Sequence, residues 1–211
     1  MNNRLLLEFL LVGILSASPM SSSATAFEYE SWPYEGIPYF EVVKDKIELH
    51  ETASSKSPVI AKINAKKGSV ASFAFGVEEL IKRHKKYGTI FGIKDGATIN
   101  SDFVLGKSIQ ITTKPGVIRA TTSGAITGSF YNKGDVIEDL MYLGEGNCLY
   151  RYHGIVFDND TCLFSDLQDG SLVQESRPVT EWWVTVVNNG KTMGWLKIDD
   201  DSPFRMIETI R

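Results

Sequence analysis

Short runs rich in β-branched and aromatic residues, cut apart by Gly, Asn, Asp or Pro, confine this chain to a fold of many short strands. The runs fall at residues 42–49, 59–63, 69–75, 89–93, 108–112, 136–142, 148–157, 182–187 and 193–198. Such spacing belongs to sandwiches and barrels. Asn188-Asn189-Gly190 marks the clearest hairpin, because the tight primed turns between strands need positive φ, which Asn and Gly adopt most easily. One segment alone reads as a helix, residues 77–87, with Gly88 as its C-terminal cap. Val77, Leu80, Ile81 and His84 recur there at core spacing, and Lys82, Arg83, Lys85 and Lys86 read as its solvated face.

The N-terminus reads as an export signal rather than as part of the fold. Arg4 precedes an apolar run at residues 5–15, interrupted by Glu8, and small residues follow as far as Ala24-Thr25-Ala26, placing cleavage before Phe27. The run is about half of the roughly 20 apolar residues that span a bilayer, so no stable membrane anchor is expected after cleavage. A buried N-terminal helix is the alternative. The expected location is periplasmic or extracellular. Lys and Arg number 22 against 26 Asp and Glu, and the net charge of −4 is unchanged when Arg4 and Glu8 leave together. A nucleic-acid partner would require a basic excess that is absent.

Cys148 and Cys162 are the only cysteines. In an exported chain an even pair reads as a disulfide, and a turn at His153-Gly154 is needed to bring the two together, since one straight strand would hold them too far apart. The rival reading makes a thiol nucleophile with His153 as its base, but no strand-to-helix cysteine motif accompanies it. The chemical inventory is otherwise thin. His50, His84 and His153 stand at no metal-ligand spacing, so no metal and no cofactor are expected. Asp158-Asn159-Asp160 lacks the glycine and distal glutamate of a calcium loop and reads as a turn. Gly144-Glu145-Gly146 is too short to cradle a phosphate. Glu78-Glu79 and Asp199–Asp201 sit in helix-start and surface contexts, and a glycosidase pair drawn from distant positions is not visible in sequence.

The first residues after the signal are aromatic and contain proline: Phe27, Tyr29, Trp32, Pro33, Tyr34, Pro38, Tyr39 and Phe40. Proline cannot donate to a ladder, so this segment is not expected to pair as a central strand. It reads as a strap over the fold, or as a ligand lying in the protein's own aromatic groove.

Ser57-Pro58-Val59-Ile60-Ala61-Lys62-Ile63 followed by Lys66-Lys67-Gly68-Ser69-Val70 resembles the opening of a bacterial SH3 (SH3b) domain. Trp182-Trp183-Val184-Thr185-Val186, with Asn189-Gly190-Lys191-Thr192-Met193-Gly194-Trp195-Leu196, resembles the end of one. More sequence separates them than one such domain holds. Tyr131-Asn132-Lys133-Gly134-Asp135-Val136-Ile137 repeats the Lys-Gly-strand signal, with Gly134 set 66 residues after Gly68. The resemblance thus implies a mainly β fold of two small SH3-like barrels in tandem with one short helix. Residues 27–113 would hold the strap and a degenerate first unit, and residues 114–211 the second; one domain with long insertions is the alternative.

For function the resemblance implies a non-catalytic binding module of the cell envelope that recognises peptidoglycan fragments, peptides or a protein partner. A protein inhibitor or assembly subunit acting on an envelope hydrolase is the second reading, and a hydrolase with an unrecognised site the third. The expected ligand-binding residues are Trp183, Thr185, Trp195, Tyr142 and Tyr152. Alternation along a strand puts Trp182, Val184 and Val186 on an apolar face and Trp183 with Thr185 on the other, so Trp183 is expected to be exposed enough to stack on a sugar or peptide.

Overall fold

The computed structural model describes residues 26–31, 33–34, 36–74, 76, 81–82, 86, 98–99, 102–159 and 161–210. Of the export signal expected at residues 1–26 only Ala26 is described, and the expected strand at 89–93, Trp32 and His84 lie outside the described residues. So does most of the expected helix at 77–87, within which Ile81, Lys82 and Lys86 are described and helical.

The fold is mainly β. In chain order its strands begin with β1 (Phe27–Tyr29), β2 (Ile37–Val42), β3 (Lys46–His50), β4 (Val59–Asn64), β5 (Val70–Ser72) and β6 (Val104–Lys114). Next come β7 (Gly116–Ala120), β8 (Gly124–Ile126), β9 (Ser129–Tyr131), β10 (Val136–Gly144), β11 (Asn147–Tyr152) and β12 (Ile155–Asn159). A short helix, Phe164–Asp169, precedes β13 (Leu172–Ser176), β14 (Val179–Asn188), β15 (Lys191–Ile198) and β16 (Phe204–Ile210). The sheets are open: β1-β6-β14-β15-β3-β4, β12-β11-β10-β7-β13, β16-β2-β5 and the pair β8-β9.

The expected boundary at 113/114 is crossed by pairing. β14, from beyond residue 114, lies against β6, from before it, through Trp182↔Gln110, Trp183↔Ile109 and further pairs. One lobe is therefore built from both ends of the described chain, and the other, residues 116–176, is set into it. The two crossings run side by side. A Cβ on Gly116 would stand 2.7 Å from the Pro178 nitrogen and the Ser176 carbonyl oxygen, so only glycine lets them pass.

The lobes repeat one frame. In the end-built lobe β2 is flanked by β16 and β5, and in the central lobe β7 is flanked by β13 and β10. Val42 donates its N–H to the Ser69 carbonyl and accepts from the Gly68 N–H, both at 2.8 Å. Ala120 does the same with Asp135 and Gly134, at 2.9 and 2.8 Å. Val42 pairs with Phe204 and Ala120 with Leu172, and the outer strands bulge at matching places, Met206/Glu208 and Gln174/Ser176. The Lys-Gly repeat of the sequence is thus a repeat of structure: Gly68 and Gly134 both hold positive φ, 81° and 94°, at the same turn.

Two expectations about local structure need correction. β2 is a central strand although it contains Pro38. Pairing with β5 begins only at Tyr39, so Pro38 meets β16 alone and no ladder bond is lost on its other side. The run at 148–157 is two strands, not one, turning at His153-Gly154 with φ of 49° and 80°. That turn supports the disulfide, Cys148 to Cys162, with sulfurs 2.08 Å and Cα atoms 4.9 Å apart.

Phe40, Ile47, Leu49, Phe73, Leu105, Trp182, Val184, Leu196 and Phe204 fill the core of the end-built lobe. Ile118, Ile137, Tyr150, Tyr152 and Leu172 fill that of the central lobe, together with Cys148. Between them Thr112 Oγ1 donates to the Leu140 carbonyl at 2.6 Å and Gln110 Nε2 to that of Tyr142 at 2.9 Å. Phe27 of the strap packs there against Leu140, Met141 and Leu149.

Candidate functional site

Strand β14 determines which surfaces a ligand could reach. Trp182, Val184 and Val186 face the core, as the alternation requires. Trp183 does not stand exposed on the other face: it is 0% exposed, which corrects the stacking role expected of it. His50 lies edge-on against its ring at 5.8 Å, and its indole N–H donates to the Glu181 carboxylate at 3.1 Å. Burial opposes the charge on Glu181, but hydrogen bonds from Lys197 and Trp183 outweigh it and hold the carboxyl below its ordinary range. The sheet is covered on both faces, so a period of two cannot mark one of them as free.

The other expected contact residues are dispersed. Thr185 is buried and its hydroxyl accepts the Lys107 backbone N–H at 2.8 Å. Trp195 is half-buried and paired in register with both Thr185 and His50. Tyr142 is exposed in the central lobe, where its hydroxyl accepts from the Gly146 N–H at 3.2 Å. Tyr152 is buried, donates to the Asp135 carboxylate at 2.6 Å and stacks on His153. Trp183, Thr185 and Trp195 share one side of the large sheet, whereas Tyr142 and Tyr152 belong to the other lobe; no single surface gathers all five.

A groove opens elsewhere on the end-built lobe, near Trp182. It encloses about 480 Å³, with Tyr34, Val43, Trp182, Ile198, Phe204 and Met206 as its apolar lining and Asp199, Asp200, Ser202 and Arg205 as its polar one. The strap builds one wall. Ser31 accepts from Ser108 Oγ through its carbonyl and from Gln110 Nε2 through its hydroxyl, both at 2.8 Å, and this seats Tyr34 on Trp182 with ring centroids 5.4 Å apart. The Trp182 indole N–H is satisfied by Ser108 Oγ at 2.7 Å. A second groove of about 390 Å³ shares Tyr34 and lies between the strap and Leu143, Gly144, Glu145 and Asn147 of the β10–β11 hairpin.

Charges around the first groove are unevenly matched. Arg205 binds the Glu41 carboxylate, Lys197 lies 3.0 Å from Glu181 and 3.5 Å from Asp199, and the Lys44 ammonium donates to the Asp201 carbonyl. Among the described residues Asp200 has no ion-pair partner and the Tyr34 hydroxyl has no hydrogen bond. Burial first, and the Asp200 carboxylate second, raise the Tyr34 phenol above its ordinary pKa. In sequence Tyr34 reads as a strap aromatic and Asp199–Asp201 as surface; only the return of β16 beside β2 brings them to one groove.

His50 and the two cysteines are engaged in structure. His50 Nδ1 donates to the Ser57 carbonyl at 2.8 Å, and both cysteines are bridged. No group of three metal-ligating side chains occurs among the described residues. Asp139, in the central lobe, is 8% exposed; burial pushes its carboxyl up to about 6, against the Gln174 hydrogen bond at 2.8 Å and the charge of Arg177. No helix among the described residues is long and apolar enough to cross a membrane. No protein-family model matches the chain, and no curated protein or solved structure matches it.

Proposed function

We propose that this chain is an exported, non-catalytic binding module of the cell envelope, SH3-like in both lobes, whose ligand seat is the groove over Trp182. The groove carries the reading: it joins an apolar aromatic lining to unmatched polar groups, the combination by which small-ligand and peptide sites hold and orient what they bind. The repeated frame of β2 and β7 supports the SH3-like part. The disulfide and the N-terminal signal support export, since bridges persist in oxidising compartments. The ligand classes are peptidoglycan fragments, peptides and segments of envelope proteins.

Sedimentation of the purified chain with insoluble peptidoglycan, alongside capture from envelope extract, tests this. Retention that falls when Met206→Arg narrows the groove and adds a cation to it is expected. Retention unaffected by that change would place the seat elsewhere.

A docking role, as an inhibitor or assembly subunit, is the second reading. It is favoured by Phe130, Ile155 and Phe164 of the central lobe, which are 84%, 65% and 64% exposed.

A further inference from the structure

The groove over Trp182 shows which chemistry is missing from it. Three cations stand around it and all are engaged: Arg205 with Glu41, Lys197 with Glu181 and Asp199, and Lys44 with the Asp201 carbonyl. Asp200 and the Tyr34 hydroxyl line the same space and, among the described residues, have no such partner. They are close enough for the carboxylate to raise the phenol's pKa. A carboxylate accepts hydrogen bonds only, and a phenol accepts as well as donates. A neutral apolar ligand would cover the aromatic lining and leave the half-buried Tyr34 hydroxyl without water or partner, at a cost, and would give the exposed Asp200 carboxylate beside it nothing to pair with.

We infer that the groove takes a peptide segment bearing a primary ammonium on an apolar stem, a lysine-type side chain. The ammonium sits between Asp200 and Tyr34, and the stem lies along Trp182, Phe204 and Met206. An ammonium offers three donors from one compact centre, enough for a carboxylate and a phenol together. Its methylenes bury against apolar surface while the head keeps its polar contacts. The ring of Tyr34, half-buried at the groove wall, adds attraction for a cation near its face. The inference rests on the groove being the ligand seat of the proposed binding module, and it adds the class of group that the seat selects.

The test uses the full disulfide-bonded chain and three blocked tripeptides, with lysine, norleucine or arginine at the centre, titrated by NMR. The lysine tripeptide is expected to shift resonances of Tyr34, the Trp182 indole and residues 199–204. Norleucine, which keeps the stem and loses the charge, should bind about tenfold more weakly, and added salt should narrow that gap. Asp200→Asn should remove most of the preference for lysine while leaving norleucine binding unchanged, and Tyr34→Phe should remove part of it. Equal binding of lysine and norleucine overturns the inference, as does a preference intact in Asp200→Asn, tighter binding of arginine, or no binding of lysine. Retention on peptidoglycan and envelope extract is scored in parallel. Parent retention that Asp200→Asn leaves unchanged overturns the inference and spares the binding-module reading; absence of parent retention removes that reading, whatever the tripeptides do.

Discussion

The two lobes share a three-strand frame and are stabilised by different means. In the end-built lobe, strands far apart in sequence converge on Phe40, Phe73, Trp182 and Phe204, and the core is aliphatic and aromatic. The central lobe is one continuous stretch of hairpins whose core includes Tyr131, Tyr150 and Tyr152, the buried carboxyl of Asp139 and a disulfide. A short segment buries a smaller share of its surface, so a cross-link matters more there. The end-built lobe has what the other lacks: the strap and a strand return that leave a groove over Trp182.

The sharpest way to break this comparison is to empty the second face of β14. Trp183→Ala should cost about 3–5 kcal/mol in denaturant unfolding, the range for truncating a buried aromatic. A cost under about 1 kcal/mol would return Trp183 to the surface. Replacing Cys148 and Cys162 together by alanine should cost about 3 kcal/mol, the chain-entropy value for a loop near 15 residues. Hydrogen exchange should show the loss in β10–β12 and leave β14–β15 protected.

pH separates the lobes next. The folded pKa of Asp139 is raised, so the folded central lobe binds its proton more tightly than the unfolded chain. Stability should therefore rise as pH falls through about 6 and level off near the ordinary carboxyl value of about 4, by roughly 3 kcal/mol in all. Asp139→Asn should flatten that difference, read as the unfolding midpoint of mutant against parent between about pH 4 and 7. At the small end, Phe130→Ser should change stability by less than about 0.5 kcal/mol, because the ring is already in solvent.

Turn chemistry made part of the fold readable. Asn189-Gly190 and His153-Gly154 both adopt the positive φ pairs that tight hairpins need, and each joins the strands on either side of it. The Lys-Gly turns signalled the repeated frame. The nesting of one lobe in the other left no such mark, because β6 and β14 meet through long-range pairing that periodicity does not encode. Trp183 was misread for a related reason: alternation identifies two faces, and only the tertiary fold decides whether both are covered. The groove depends on Tyr34, Trp182 and Asp200, which lie far apart in sequence and share no motif.

Hydrogen exchange of the chain, alone and with a soluble digest of peptidoglycan or the envelope fraction that retains it, tests the central claim most directly. The account predicts slowed exchange at residues 199–206 and around Tyr34, with the central lobe unchanged. Slowed exchange instead at residues 129–131, 155–159 and 164–173, with the groove unaffected, would contradict it and place binding on the exposed apolar residues of the central lobe.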